Sequence, residues 1–122
     1  ALISNIDDHP RNHALIAKER DWKLSPAFDL TPSPVIAHDR RDLAMTIGDM
    51  GRFANAKNLL SQSARFLLEE SQAKTIVAEM TKRVRSTWYD VVRSCGVTEN
   101  DAETIRNAFV YEGFSYEEAQ QV

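Results

Sequence analysis

An acid, four intervening residues and an asparagine stand at Asp7 and Asn12 in "SNIDDHPRNH", and a second acid, Asp29, follows in "KLSPAFDLTPS". These are the side-chain types that phosphoryl transfer needs. A carboxylate orients the attacking hydroxyl, while carboxylate and amide oxygens hold Mg²⁺, which prefers them to nitrogen or sulfur. The reaction asks little covalent work of a protein, so position and charge decide it. On this reading Asp7 is the catalytic carboxylate and Asn12 and Asp29 are the magnesium ligands. His9 and Arg11 lie on the same loop, where a donor could reach a nucleotide phosphate. Each residue also has an ordinary alternative. Asp8, His9 and Arg11 could simply hold a loop by side-chain to backbone hydrogen bonds, Asp7 and Asn12 could serve a turn, and Asp29 could be a cap or turn residue after Pro26.

An isolated aspartate and asparagine at this spacing is a weak signal. What strengthens it is the intervening segment. "HALIA" and "DWKLS" are short apolar stretches separated by Lys18–Asp21, and a hairpin over residues 14–25 would return Asp29 to the side of Asn12. That order of acid, amide, hairpin and acid is the one protein kinases use. Pro26, Pro32 and Pro34 then stiffen the loop carrying Asp29, and a short strand is expected at 43–47.

Beyond Gly51 the apolar period becomes helical. Leu59, Leu60, Ser63, Phe66 and Leu67 mark one face of a helix capped by Asn55. Ala73, Ile76, Val77, Met80, Val84, Trp88, Val91, Val92 and Cys95 line a long helix that Gly96 ends, so Trp88 and the Cys95 thiol are expected in the core. Thr98, with Asp101 three places on, opens a third helix carrying Ile105, Phe109 and Val110. Residues 55–110 should therefore be predominantly helical, and the tail from Glu112 to Val122 is expected to fray. The fold class is α+β, mainly α, in one domain spanning residues 1–122.

Composition agrees with a folded domain. At 122 residues, 43% apolar and 27% charged, the chain can bury about 65–68% of its unfolded surface. A net charge of −3 gives no general attraction to nucleic acid, so no direct nucleic-acid partner is expected. No apolar run is long enough to span a membrane and no secretory leader is visible, which leads us to expect a cytoplasmic protein. The single cysteine has no partner for an intramolecular disulfide.

Two rival chemistries fare worse. His9 and His13 have the spacing of zinc ligands on one helical face, but Pro10 occupies the place of the expected glutamate and makes His9 a cap. Nucleophilic catalysis finds no G-x-S-x-G elbow, and Cys95 sits on an apolar stripe.

With "NIDDHPRNH", "WKLSPAFDLTPSP" and "AMTIGDMGR" in view, the chain resembles the C-terminal lobe of HipA-like serine/threonine kinases, toxins of bacterial type II toxin–antitoxin modules. "ANAKNLL", the long helix with Trp88 and the closing "AFVYEGF" extend the resemblance over nearly the whole chain. It implies the helical C-lobe of a protein-kinase-like fold with a small β-hairpin beside the catalytic loop. It also implies Asp7 as catalytic aspartate, Asn12 and Asp29 as magnesium ligands, and His9 and Arg11 near the phosphates. ATP and Mg²⁺ are the implied cofactors. The implied partners are a HipB-like antitoxin and a protein substrate of the aminoacyl-tRNA synthetase class, glutamyl-tRNA synthetase being the known type. Asp8 stands where some members carry a small residue and adds negative charge beside the site.

The four glycines cannot form a glycine-rich phosphate loop, and no lysine lies on a strand before the catalytic loop. We therefore expect a fragment without its nucleotide-binding lobe, inactive alone and prone to self-association through the uncovered face. The alternative from another class is a non-catalytic helical module that binds an antitoxin or a separate lobe.

Overall fold

The computed structural model describes residues 1–34 and 37–115. An N-terminal loop contains a single 3₁₀ turn at Pro10–Asn12 and leads into β1, Leu15–Lys18, and β2, Asp21–Leu24. The two strands pair antiparallel, Leu15 with Leu24 and Ala17 with Trp22. Glu19 supplies the positive φ, +57°, that its turn requires, the role Asn-Gly plays elsewhere. Three α-helices follow: α1 at Ala56–Leu60, α2 at Glu70–Ser94 and α3 at Glu99–Ile105. The chain is thus a small α+β domain, mainly α. Among the described residues no helix is long and apolar enough to cross a membrane.

Local chemistry explains the helix boundaries. The Asn55 side chain accepts from the Lys57 amide at 2.9 Å and Thr98 Oγ1 accepts from the Asp101 amide at 3.1 Å, as the cap assignments require. At the start of α2 the Gln72 amide oxygen accepts from the Glu69 backbone N–H at 3.0 Å. The helix ends where Gly96 takes φ +86°, with its N–H bonded to the Arg93 carbonyl.

Several expectations need correction. The segment 43–47 is no strand: isolated bridges flank it, Asp42↔Phe53 and Gly48↔Gly51, and although the Leu43 and Ile47 amides bond the Arg52 and Gly51 carbonyls, the tight return at Gly48–Gly51 leaves no length for a ladder. The first helix stops at Leu60, where Ser61 Oγ turns back to bond the Asn58 carbonyl at 2.7 Å, and a 3₁₀ turn at Ser63–Phe66 follows. Leu67 then adopts a left-handed conformation and is 94% exposed, so of the anticipated apolar face Leu59 packs against the core while Phe66 and Leu67 stay in solvent. On α2 only Ala73 is buried, with Val77 and Val84 packed against the core. Ile76, Met80 and Val91 are exposed, Trp88 is half-buried and the Cys95 thiol is exposed. A helix of 25 residues is about 37 Å long and outruns the small core it flanks.

That core is Leu43, Ala54, Val110, Tyr111 and Phe114. Phe114 corrects the expectation of a fraying tail up to Ser115. It is 1% exposed, in a 3₁₀ turn at Glu112–Ser115 whose Gly113 N–H bonds the His38 carbonyl at 3.0 Å. The rest of the tail expectation, from Tyr116, lies outside the described residues. Around this apolar cluster lie buried polar side chains that fasten loops. Asn58, fully buried, accepts from Met50 N at 2.8 Å and donates to the Gly51 and Phe53 carbonyls at 2.9 and 2.8 Å.

Candidate active site

The acidic loop is held at its base before any of its functional groups is reached. Ser4 is buried with φ +54°, and its Oγ donates to the Ala108 carbonyl at 2.7 Å. Arg41, 3% exposed, donates to Ser4 Oγ at 2.6 Å and to the Asn107 and Ala37 carbonyls at 2.7 and 2.8 Å, and lies over the Tyr111 ring at 4.5 Å. Burial lowers the Arg41 pKa from its ordinary value, so these hydrogen bonds must offset a desolvation cost. The Val110 amide bonds the Leu2 carbonyl and the Ser33 amide the Ser4 carbonyl, tying the loop to the C-terminal segment and to the segment after Asp29.

Within the loop, Pro10 starts the 3₁₀ turn and Asn12 ends it, Asn12 N–H bonding the His9 carbonyl at 2.9 Å. Asn12 is buried, and its Nδ2 donates to the Asp7 carbonyl at 3.2 Å. One end of the amide is therefore engaged, while among the described residues nothing donates to its oxygen. Asp7 is exposed and Asp29 is exposed, and neither carboxylate has a hydrogen-bond or ion-pair partner among the described residues. Their neighbour behaves differently: Asp8 pairs with His13 Nε2 at 2.8 Å. Asp8 is thus engaged within the loop, whereas among the described residues Asp7 is not.

Asp29 has φ +55°, a conformation uncommon for a residue with a side chain and most often taken by Asp or Asn. Its flanking residues Phe28 and Leu30 line a cavity of about 180 Å³ that Asn12, His13 and Leu24 also line. The hairpin thus brings the Asp29 segment and the Asn12 turn to the same cavity. His9 sits at the start of the 3₁₀ turn, and its buried Nδ1 has no hydrogen-bond partner among the described residues. Arg11 is exposed on the same turn.

The residues matched as a family are the same ones. The family model described as HipA-like C-terminal domain matches residues 1–88, which include the acidic loop, the hairpin and most of α2. The chain belongs to the HipA-like C-terminal domain family. No curated protein and no solved structure matches it. In this HipA-like domain, the residues beyond 88 add the end of α2, α3 and the C-terminal turn, which supply Tyr111 and Phe114 to the core.

Among the described residues no three His, Cys, Asp or Glu side chains gather to hold a metal, and His13 is engaged by Asp8, so the zinc alternative finds no site. Magnesium is less demanding of the protein: it keeps several waters and substrate phosphates and needs one or two protein oxygens. The Asn12 amide oxygen and the Asp29 carboxylate are of the right chemistry and are unengaged. The sequence reading missed Ser4 and Arg41. "HDRRD" reads as a solvated loop, and nothing in its composition distinguishes Arg41, which is buried, from the exposed Arg40 beside it.

Proposed function

We propose that this domain is the catalytic C-lobe of a HipA-like kinase, which with its nucleotide-binding lobe transfers the ATP γ-phosphate to a serine or threonine of a protein. The observation that carries this is selective: Asp8 is engaged by His13, whereas the Asp7 carboxylate, the Asn12 amide oxygen and the Asp29 carboxylate have no partner among the described residues, and Asn12 lines the cavity that Phe28 and Leu30, the flanks of Asp29, also line. Unpaired oxygens of these types on the two loops that the hairpin joins fit a site for a cation and a hydroxyl.

In this reading Asp7 accepts the hydrogen bond of the attacking hydroxyl and takes its proton as the phosphoryl group departs. Asn12, its amide plane set by the bond from Nδ2 to the Asp7 carbonyl, presents its oxygen to magnesium, and Asp29 presents a carboxylate from its left-handed turn. Bound Mg²⁺ supplies charge neutralisation between the phosphates. His9 and Arg11 donate to phosphate oxygens. The family resemblance extends the proposal to a toxin role, an aminoacyl-tRNA synthetase as target and a HipB-like antitoxin as partner, in the cytoplasm. The domain alone contains no glycine-rich loop, so by itself it should bind ATP·Mg²⁺ weakly and transfer nothing.

A second reading, a non-catalytic module that binds a partner or another copy of itself, draws on the hairpin. Leu15, Trp22 and Leu24 share one face and are each more than 60% exposed. Phosphotransfer separates the two. In a two-lobed protein containing this domain, labelled γ-phosphate should reach a protein hydroxyl, and Asp7→Asn should lower the rate about 10²–10⁴-fold with the fold unchanged. Near-native activity in that variant would remove Asp7 from the chemistry.

A further inference from the structure

A groove of about 660 Å³ runs between α1, α2 and the turn at Glu112–Ser115. Its α2 wall is a single helical stripe, Lys74, Val77, Thr81, Lys82 and Arg85, at spacings that keep one face aligned over about three turns. Leu60 and Phe114 complete an apolar floor with Val77, and three cations stand along the stripe. Lys74 is engaged by Glu70, and Arg85 reaches Ser115 Oγ at 3.4 Å. Among the described residues no carboxylate pairs with Lys82 or Arg85. None of these residues belongs to the acidic loop or the cavity beside it.

We infer that this groove docks a short acidic amphipathic segment of a protein partner, with apolar anchors against Leu60, Val77 and Phe114 and carboxylates against Lys82 and Arg85. Charge complementarity selects this occupant. A neutral apolar segment would cover two cations without supplying counter-charge, at a desolvation cost. A phosphate backbone would satisfy the cations but gain nothing from the apolar floor. Lys74 to Arg85 span about 16 Å, which accommodates about three helical turns or about five extended residues of the partner. This docking role is independent of the phosphotransfer reading.

The test uses the full chain and a fluorescent helix-forming peptide with leucine at helical spacing and glutamate elsewhere, read by anisotropy. The glutamate peptide should bind at least about tenfold more tightly than its glutamine counterpart, and raised salt should weaken it. Lys82→Glu and Arg85→Glu should each lower affinity severalfold and together about tenfold or more, while Arg83→Glu, the same charge change as either single variant on the same helix outside the groove, should lose little. Unchanged circular dichroism in all variants keeps the comparison free of unfolding. Four outcomes overturn the proposal: no binding, equal binding of the two peptides, equal loss in the Arg83 variant, or displacement of the peptide by duplex DNA at lower concentration than by unlabelled peptide. Tighter peptide binding after Glu117→Lys and Glu118→Lys would also overturn it, by giving the groove to the chain's own acidic tail.

Discussion

Replacing Arg41 with methionine should separate the anchoring of the acidic loop from its chemistry. The side chain is 3% exposed, and its hydrogen bonds include those of 2.6–2.8 Å to Ser4 Oγ, Asn107 O and Ala37 O. Hydrogen bonds from a charged group are worth about 1.5–3 kcal/mol each, so the gross loss from these three is about 5–9 kcal/mol. Methionine keeps much of the volume and removes the buried charge, which returns a desolvation penalty of several kcal/mol, the same penalty that lowers the Arg41 pKa. The net cost should be about 2–4 kcal/mol. A domain of 122 residues has about 6–18 kcal/mol in all, so the variant should fold yet unfold at clearly lower urea. Urea titration followed by far-ultraviolet circular dichroism gives the magnitude. Hydrogen exchange gives the location: the amide of Ser33, bonded to the Ser4 carbonyl, should lose more protection than that of Met50, bonded to Asn58. A loss below about 1 kcal/mol, or equal loss of protection at Ser33 and Met50, would refute the role of Arg41 as the fastening of the loop.

Three further outcomes follow from the fold. Trp88 is half-buried and stacks on Phe109 with ring centroids 4.7 Å apart, so Trp88→Ala should cost about 1.5–3 kcal/mol by urea titration, less than full burial would imply. Burial raises the Tyr111 phenol above its usual value near 10, an effect that Arg41 partly offsets. Its contribution is therefore intact below pH 10 and lost as pH rises above it, because the unfolded chain then releases a proton the folded chain retains. Tyr111→Phe, compared with the parent chain by urea titration between pH 9 and 11, should flatten that decline. Cys95 is exposed, so a thiol reagent should label it completely in the folded chain, and protection until unfolding would return it to the core.

What the sequence made legible was what local chemistry decides. The caps Asn55 and Thr98, the stop at Gly96 and the hairpin between Asn12 and Asp29 each rest on residues acting within a few positions of themselves. Long-range choices were not legible. The apolar stripe of α2 is real, yet Met80 and Val91 stay exposed, because periodicity tells which residues share a face and not whether anything covers it. Phe114 and Arg41 became core residues through partners dozens of positions away, Arg41 by bonding Ser4 and Asn107. At the candidate site the residue types could be read from the sequence. The pairing of Asp8 with His13, which leaves Asp7 apart, could not, since either histidine of the loop offers the same chemistry.

The central claim is that Asn12 and Asp29 hold a divalent cation beside Asp7, and paramagnetic broadening by Mn²⁺, which takes the same oxygen ligands as Mg²⁺, tests it on the chain itself. At low Mn²⁺ the side-chain amide of Asn12 and the backbone amides around Asp7 and Asp29 should broaden first, ahead of those near Asp49 and Asp101, whose carboxylates are engaged by Gln62 and Thr98. Asp29→Asn should abolish that preference and excess Mg²⁺ should reverse the broadening. Broadening that begins elsewhere, or that persists at Asn12 in the Asp29→Asn variant, would contradict the account.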